Sequence, residues 1–108
     1  MEFFFDFVSP YAYFASTRID AIAARHGRHV AWKPTLIGVT IVQVMGLKPL
    51  PQTPLKAEYV AHDKPRMAQL LGIPFRQPDM ANVNSVAASR AYLALAQHDD
   101  ALARRFAR

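Results

Sequence analysis

The sequence predicts an α/β fold in which a strand–helix–strand unit at the N-terminus is followed by a series of helices. The aromatic run FFFDFV, at residues 3–8, fits a short strand buried on both faces. A helical spacing of apolar side chains then extends from residue 10 to about residue 25. HVAWKPT, at residues 29–35, fits a second strand. Two strands joined by one helix and short connections indicate a parallel pair.

The first helix carries clear signals at both ends. Ser9 is a favoured N-cap, and Pro10 suits the first helical position, where a missing N–H costs nothing. Arg25 and His26 fall in the last turn, and Gly27 follows as a C-terminal cap. These signals place the helix between residues 10 and 25.

Beyond residue 36 the pattern becomes helical. Residues 36–45 are predicted as a short helix, although their β-branched side chains also fit a strand. Pro65 is expected to kink or split the helix predicted at 55–71 because it lacks an N–H. In the helix predicted at 86–98, Ala87, Ala91 and Ala94 predict a thin face for close packing. The predicted order begins with a helix at 36–45 ended by Gly46, an extended linker at 47–54 and a helix at 55–71 ended by Gly72. A loop at 73–82 follows, then a helix at 86–98 capped by Asn84 or Ser85 and a helix at 101–108 capped by Asp99 or Asp100.

This set of elements predicts an incomplete domain. Two parallel strands do not make a stable sheet alone. The last helix is still in its apolar pattern at residue 108. We therefore expect the chain to be the N-terminal part of a longer protein, the alternative being a small domain completed as a homodimer.

Composition excludes several functions. The chain has 108 residues and no cysteine, which rules out disulfides, thiolate metal sites and a cysteine nucleophile. The four histidines show no metal-ligand spacing, so no metal is predicted. The net charge is +5, but the arginines are scattered apart from a group at 104–108, so we expect no nucleic-acid partner. The absence of a long apolar run or a visible leader predicts no membrane association and a cytoplasmic location.

Ser9 has two interpretations. It is a helix cap only, or it belongs to an anion site, because a helix N-terminus stabilises a bound anion such as a thiolate. A serine hydroxyl at the cap could donate a further hydrogen bond to that thiolate. Since the chain has no cysteine, the thiol would come from a ligand.

The segment FDFVSPYAYFAS resembles the opening of the DsbA-like thioredoxin superfamily, in the branch of 2-hydroxychromene-2-carboxylate isomerases and kappa-class glutathione transferases. Where disulfide oxidoreductases of this fold carry Cys-x-x-Cys, residues 9–12 read Ser-Pro-Tyr-Ala, so dithiol–disulfide exchange is excluded. The segments WKPTLIGV, GLKPLPQTPLKAEYV, LGIPFRQP and VNSVAASRAYLA are also similar to the family.

The resemblance implies a fold and a reaction. Residues 1–36 would form the first half of a thioredoxin-like domain and residues 37–108 a truncated helical insertion, with the C-terminal half absent. The implied activity is a glutathione-dependent cis/trans isomerisation between 2-hydroxychromene-2-carboxylate and trans-o-hydroxybenzylidenepyruvate in aromatic catabolism, by reversible thiolate addition. The alternatives are a kappa-type glutathione transferase and a non-catalytic thioredoxin-fold binding module.

The resemblance also implies site residues. Ser9 matches the serine that hydrogen-bonds the sulfur of glutathione, and Lys56 matches a lysine that meets one of its carboxylates. The family asparagine falls on Leu47, which cannot supply that amide contact.

Three further residues are candidates for the side of the site that faces a small aromatic substrate. Tyr11 and Tyr13 would line that side, although core or surface packing fits them equally well. Asn84 would present a polar group to the cleft, although a local helix cap explains it too.

Overall fold

The computed structural model describes residues 1–77, 79 and 83–108; residues 78 and 80–82 of the predicted loop lie outside the described residues. The helices in this part are too short or too polar to span a bilayer. The elements are β1 (Glu2–Phe5), α1 (Pro10–Ser16), α2 (Ile19–Arg25), β2 (Ala31–Pro34), a π-helix (Gly38–Val44), a 3₁₀ turn (Leu50–Gln52), α3 (Lys56–Leu71), α4 (Val86–Ala96) and α5 (Asp100–Ala107).

The predicted parallel pair is confirmed. β1 and β2 pair in parallel, from Glu2 opposite Ala31 to Phe5 opposite Pro34. The prediction of burial on both faces is wrong for β1, since Phe5 is 4% exposed but Phe4 is 59% exposed. Successive side chains of a strand point to opposite faces, and the core lies on the Phe5 side.

The core is centred on the ring of Phe5. Its centroid lies 5.1 Å from the ring of Tyr92 in α4 and 5.5 Å from that of Trp32 in β2, both in edge-to-face contact. Ala23 of α2, Val30 just before β2 and Ala103 of α5 complete the buried cluster. The predicted alanine face of α4 is wrong, because α4 buries Tyr92 and the small Ser89 instead, while residues 87, 91 and 94 are exposed.

The predicted single helix from residue 10 to residue 25 is two helices. The Ser16 hydroxyl donates to the Tyr13 carbonyl at 2.7 Å, and the Thr17 hydroxyl donates to the Phe14 carbonyl at 2.8 Å. Such side-chain bonds compete with the helical ladder. α1 therefore ends at Ser16, two turns after it begins.

Other helix boundaries agree with the sequence. Arg28 and Gly27 donate back to the carbonyls of Ala23 and Ala24, which closes α2 in a Schellman motif. α3 ends at the left-handed Gly72, but it continues through Pro65 without being split. The segment predicted at 36–45 is a helix with π character, in which the Met45 N–H reaches the Thr40 carbonyl five residues back.

Candidate functional site

A cleft of about 1390 Å³ lies between the start of α1, the π-helix and the linker after it, and the N-terminal half of α3. Its wall contains four of the five predicted site residues, namely Ser9, Tyr11, Tyr13 and Lys56. The fold thus brings together residues that are up to 47 positions apart. The fifth residue, Asn84, lies elsewhere.

Ser9 is the N-cap of α1. Its backbone is extended (φ −97°, ψ 110°), and its Oγ accepts the N–H of Ala12 at 3.2 Å. The Ser9 N–H donates to the carbonyl of Asp6 at 2.9 Å, which fixes the turn from the end of β1 into the helix. A hydroxyl that accepts a cap bond still carries its own proton, so Ser9 can donate to a group in the cleft. The cap role is therefore compatible with a role in binding an anion.

Tyr11 is tied to α3 by its hydroxyl. Its Oη donates to Oδ2 of Asp63 at 2.7 Å. Burial of the phenol, together with the neighbouring carboxylate, raises the pKa of Tyr11 to about 12. The hydroxyl is therefore un-ionised and engaged at neutral pH, and the ring is what Tyr11 contributes to the cleft wall.

Asp63 holds this phenol inside a small polar cluster, and no sequence motif singled this residue out. It is 8% exposed, and its Oδ1 receives Arg66 Nη2 at 2.5 Å and, more weakly, the Tyr59 hydroxyl at 3.4 Å. The hydrogen bond from Tyr11, followed by that from Arg66, lowers the pKa of Asp63 below its usual value. The spacing of residues 59, 63 and 66 indicates that they cluster on one side of a helix. It does not indicate the contact between Asp63 and Tyr11, which are 52 positions apart in the sequence.

Tyr13 anchors the segment that follows α3. Its hydroxyl donates to the carbonyl of Pro74 at 3.0 Å. The neighbouring Phe14 packs edge-to-face on Phe75, with ring centroids 5.3 Å apart. Both tyrosine hydroxyls of the SPYAY segment thus hold α3 and its following loop against α1.

Cationic side chains surround the cleft. Lys56 is the exposed first residue of α3, and Lys48 precedes the 3₁₀ turn. Lys64 and Arg76 also line the wall, where Lys64 Nζ donates to Gln77 Oε1 at 2.6 Å. Lys56 and Lys64 belong to α3, whereas Lys48 and Arg76 lie outside it. Lys56 was predicted from the resemblance, and the other three were not. Their positive field attracts ligands that carry carboxylates.

Asp6 provides a negative charge at the base of the cleft. Its two carboxylate oxygens accept the backbone N–H groups of Val8 at 3.1 Å and Ile37 at 2.6 Å. Asp6 is 2% exposed. Its carboxylate therefore links the end of β1 to the start of the π-helix.

Asn84 serves its own helix. Its Oδ1 accepts the N–H of Val86 at 2.9 Å, whereas Ser85, at the N-cap position, makes no side-chain cap bond. Asn84 lines a separate cavity of about 410 Å³ and is not in the wall of the larger cleft. Leu47 does line the larger cleft and is 51% exposed, so it presents apolar surface there.

Within residues 1–77, 79 and 83–108, acidic and histidine side chains form no cluster suited to a metal ion.

Comparisons with known proteins identify the family of this chain. The family described as DSBA-like thioredoxin domain matches residues 1–108. A 2-hydroxychromene-2-carboxylate isomerase of Pseudomonas putida is 31% identical to this chain over 86 residues, which are 79% of this chain and 41% of that protein. The chain thus spans less than half the length of this curated relative. The family match confirms the predicted fold class.

Proposed function

Because this chain belongs to the DsbA-like thioredoxin domain family, we propose that its cleft binds glutathione and serves the cis/trans isomerisation of an aromatic enone acid. The observation that carries the proposal is the position of Ser9, which lies on the wall of a cleft that also bears Lys56. The name of the relative from Pseudomonas putida supports the choice of reaction.

The residues of the cleft fit a tripeptide thiol with two carboxylates. Ser9 stands where disulfide oxidoreductases of this fold have their first cysteine, and its hydroxyl has a proton to donate to a sulfur anion. A hydrogen bond to an anion favours the anion over its protonated form, so this contact would lower the pKa of a bound thiol. Lys56 and Lys48 would each meet a carboxylate.

When bound, glutathione supplies a thiolate that adds reversibly to the alkene carbon of an enone, which frees the former double bond to rotate. The chain's own residues hold and orient the reactants. The rings of Tyr11 and Tyr13 and the side chain of Leu47 give one part of the wall an apolar character suited to an aromatic substrate. Arg76 and Lys64 would attract the carboxylate of such a substrate.

The test compares two helix caps. Ser9→Ala removes the cap bond to Ala12 and also the hydroxyl on the cleft. Asp99→Ala removes the equivalent cap bond of α5, in which Asp99 Oδ1 accepts the N–H of Leu102 at 2.9 Å, and changes no residue of the cleft wall. Each change costs about 1 kcal/mol of stability. We expect only Ser9→Ala to lower glutathione-dependent isomerisation of 2-hydroxychromene-2-carboxylate, by about 10- to 100-fold.

The outcomes separate the alternatives. Glutathione conjugation to an electrophile, without isomerisation, would indicate a kappa-type transferase. Glutathione binding without either reaction would indicate a non-catalytic module. Equal rates in Ser9→Ala and Asp99→Ala would contradict the role of Ser9.

A further inference from the structure

We propose that the hydrogen bond between Tyr11 and Asp63 sets the spacing between Ser9 and Lys56, so that Asp63 is a positioning residue for a tripeptide thiol. The cleft would then prefer the full tripeptide over shorter thiols because both of its binding groups are held at a fixed separation. This inference rests on the proposed function, since it assigns a length preference to the same cleft.

The bridge joins α1, whose N-cap is Ser9, to α3, whose first residue is Lys56. Tyr11 follows Ser9 by two residues at the start of α1. Asp63 follows Lys56 by seven residues in α3, which is about 10 Å along a helix axis. The Tyr11–Asp63 contact therefore fixes the Ser9 end of α1 against the half of α3 that carries Lys56.

The bridge is built to keep one geometry. Asp63 is buried and paired with Arg66 at 2.5 Å on the same helix, so its carboxylate has a fixed orientation. The short 2.7 Å bond from Tyr11 is assisted by the charge of that carboxylate. The other link, from Tyr13 to Pro74, reaches a residue beyond the C-terminal end of α3. The Tyr13 bond therefore does not hold the N-terminal half of α3, which the Tyr11–Asp63 bond joins to α1.

Fixed spacing favours a ligand that reaches both groups. A tripeptide thiol in contact with Ser9 and Lys56 gains from both contacts without ordering α3 first. Without the Tyr11–Asp63 hydrogen bond, the free-energy cost of ordering α1 against α3 opposes the ligand's contact with Lys56. A shorter thiol that reaches only Ser9 does not depend on the bridge.

The experiment measures the dissociation constants of reduced glutathione, γ-glutamylcysteine and cysteinylglycine by isothermal titration calorimetry. Each dipeptide lacks one terminal residue of glutathione. Cysteinylglycine loses the carboxylate of the γ-glutamyl residue, whereas γ-glutamylcysteine keeps two carboxylates, of which one moves from the glycine to the cysteine and so lies closer to the thiol. The variants are Tyr11→Phe, which removes one oxygen atom, and Asp63→Asn, which keeps a similar shape. The matched control is Tyr59→Phe, because the Tyr59 hydroxyl bonds the same carboxylate from within α3 and does not reach α1.

We expect the wild type and Tyr59→Phe to bind glutathione about tenfold or more tightly than the weaker dipeptide, the worth of one charged contact. Tyr11→Phe and Asp63→Asn should reduce this ratio towards one. Tyr11→Phe should also add little to Lys56→Met in a double-mutant cycle, because the bridge acts through Lys56. In the absence of ligand, Tyr11→Phe should accelerate amide hydrogen exchange in residues 56–63.

Two results would overturn the inference. The first leaves the proposed function standing, and the second overturns the two-contact site as well. If the wild type prefers glutathione and Tyr11→Phe keeps the full preference, Asp63 has no positioning role, and the proposed function stands. If the wild type does not prefer glutathione over either dipeptide, the two-contact site itself is wrong.

Discussion

The indole N–H of Trp32 donates to Oδ1 of Asp20 at 3.1 Å and so joins β2 to α2. The same carboxylate receives Arg104 of α5 at 2.8 Å and Arg108, which follows α5, at 2.6 Å. The guanidinium of Arg108 also lies 5.2 Å from the centroid of the Trp32 ring. One carboxylate therefore joins the end of the described chain to the first strand–helix–strand unit.

Asp20→Asn should lower the urea midpoint of unfolding and change the emission of Trp32 in the folded state. The change removes the charge that two arginines share, and Arg104 is the more buried of the two. The control is Glu2→Gln, which removes a surface ion pair with Lys33 whose side chains are 54% and 47% exposed. We expect the control to leave the midpoint nearly unchanged. Equal midpoints for the two variants would contradict a stabilising role for the Asp20 cluster.

Neighbouring residues of β1 should differ sharply in their contribution to stability. Phe5→Ala removes the ring at the centre of the aromatic core and should lower the free energy of unfolding by about 3–5 kcal/mol. Phe4→Ala changes a side chain that is 59% exposed and should change it by about 0.5 kcal/mol or less. Urea unfolding followed by Trp32 fluorescence measures both. A comparable loss in the two variants would place the core on the wrong face of β1.

The Tyr11–Asp63 bond predicts a loss of stability in alkali. The pKa of Tyr11 is raised from 10.0 to about 12 in the folded protein. The folded state therefore retains a proton that the unfolded state releases, so this contribution is complete below pH 10 and is lost between pH 10 and about 12. Tyr11→Phe should melt lower than the wild type below pH 10, and the difference should narrow above it. A difference that stays constant to pH 12 would contradict the shifted pKa.

The same bond predicts a loss in acid. The pKa of Asp63 lies below its ordinary value of 3.8, chiefly because Tyr11 donates to it. The unfolded state thus takes up a proton first, and the stabilisation that is present above pH 3.8 declines as the pH falls below it. The melting difference between the wild type and Asp63→Asn should therefore shrink below pH 3.8. An unchanged difference at lower pH would show that the charge of Asp63 does not contribute.

Local patterns predicted much of the fold. The parallel pair, the Ser9 cap and the ends of α2 and α3 follow from signals within a few residues of each other, and the structure confirms them. The break after Ser16 was missed because the helical spacing of apolar side chains continues across it. The hydroxyls of Ser16 and Thr17, which bond backbone carbonyls and interrupt the helical hydrogen bonds, do not change the spacing of the apolar residues.

The candidate site was only partly predictable for a different reason. Ser9 was singled out by its place at the start of a helix and Lys56 by the resemblance, and the fold places both on one cleft. Asp63 was missed because its partner Tyr11 lies 52 positions away, and a single sequence carries no signal of such a contact. The exposure of Phe4 was missed because a buried and an exposed face of a strand are recognised by alternating apolar and polar residues. Phe4 has a phenylalanine on each side, so the sequence shows no such alternation there.

Glutathione binding at Ser9 is the proposal on which the proposed activity depends. The most direct measurement is a thermal melt followed by Trp32 fluorescence, with and without reduced glutathione, for the wild type, Ser9→Ala and Asp99→Ala. A ligand that binds only the folded state stabilises it by about 2.7 kcal/mol at one hundred times its dissociation constant. We expect glutathione to raise the midpoint of the wild type and of Asp99→Ala, and to raise that of Ser9→Ala much less. No rise in the wild type, or an equal rise in Ser9→Ala, would contradict the claim.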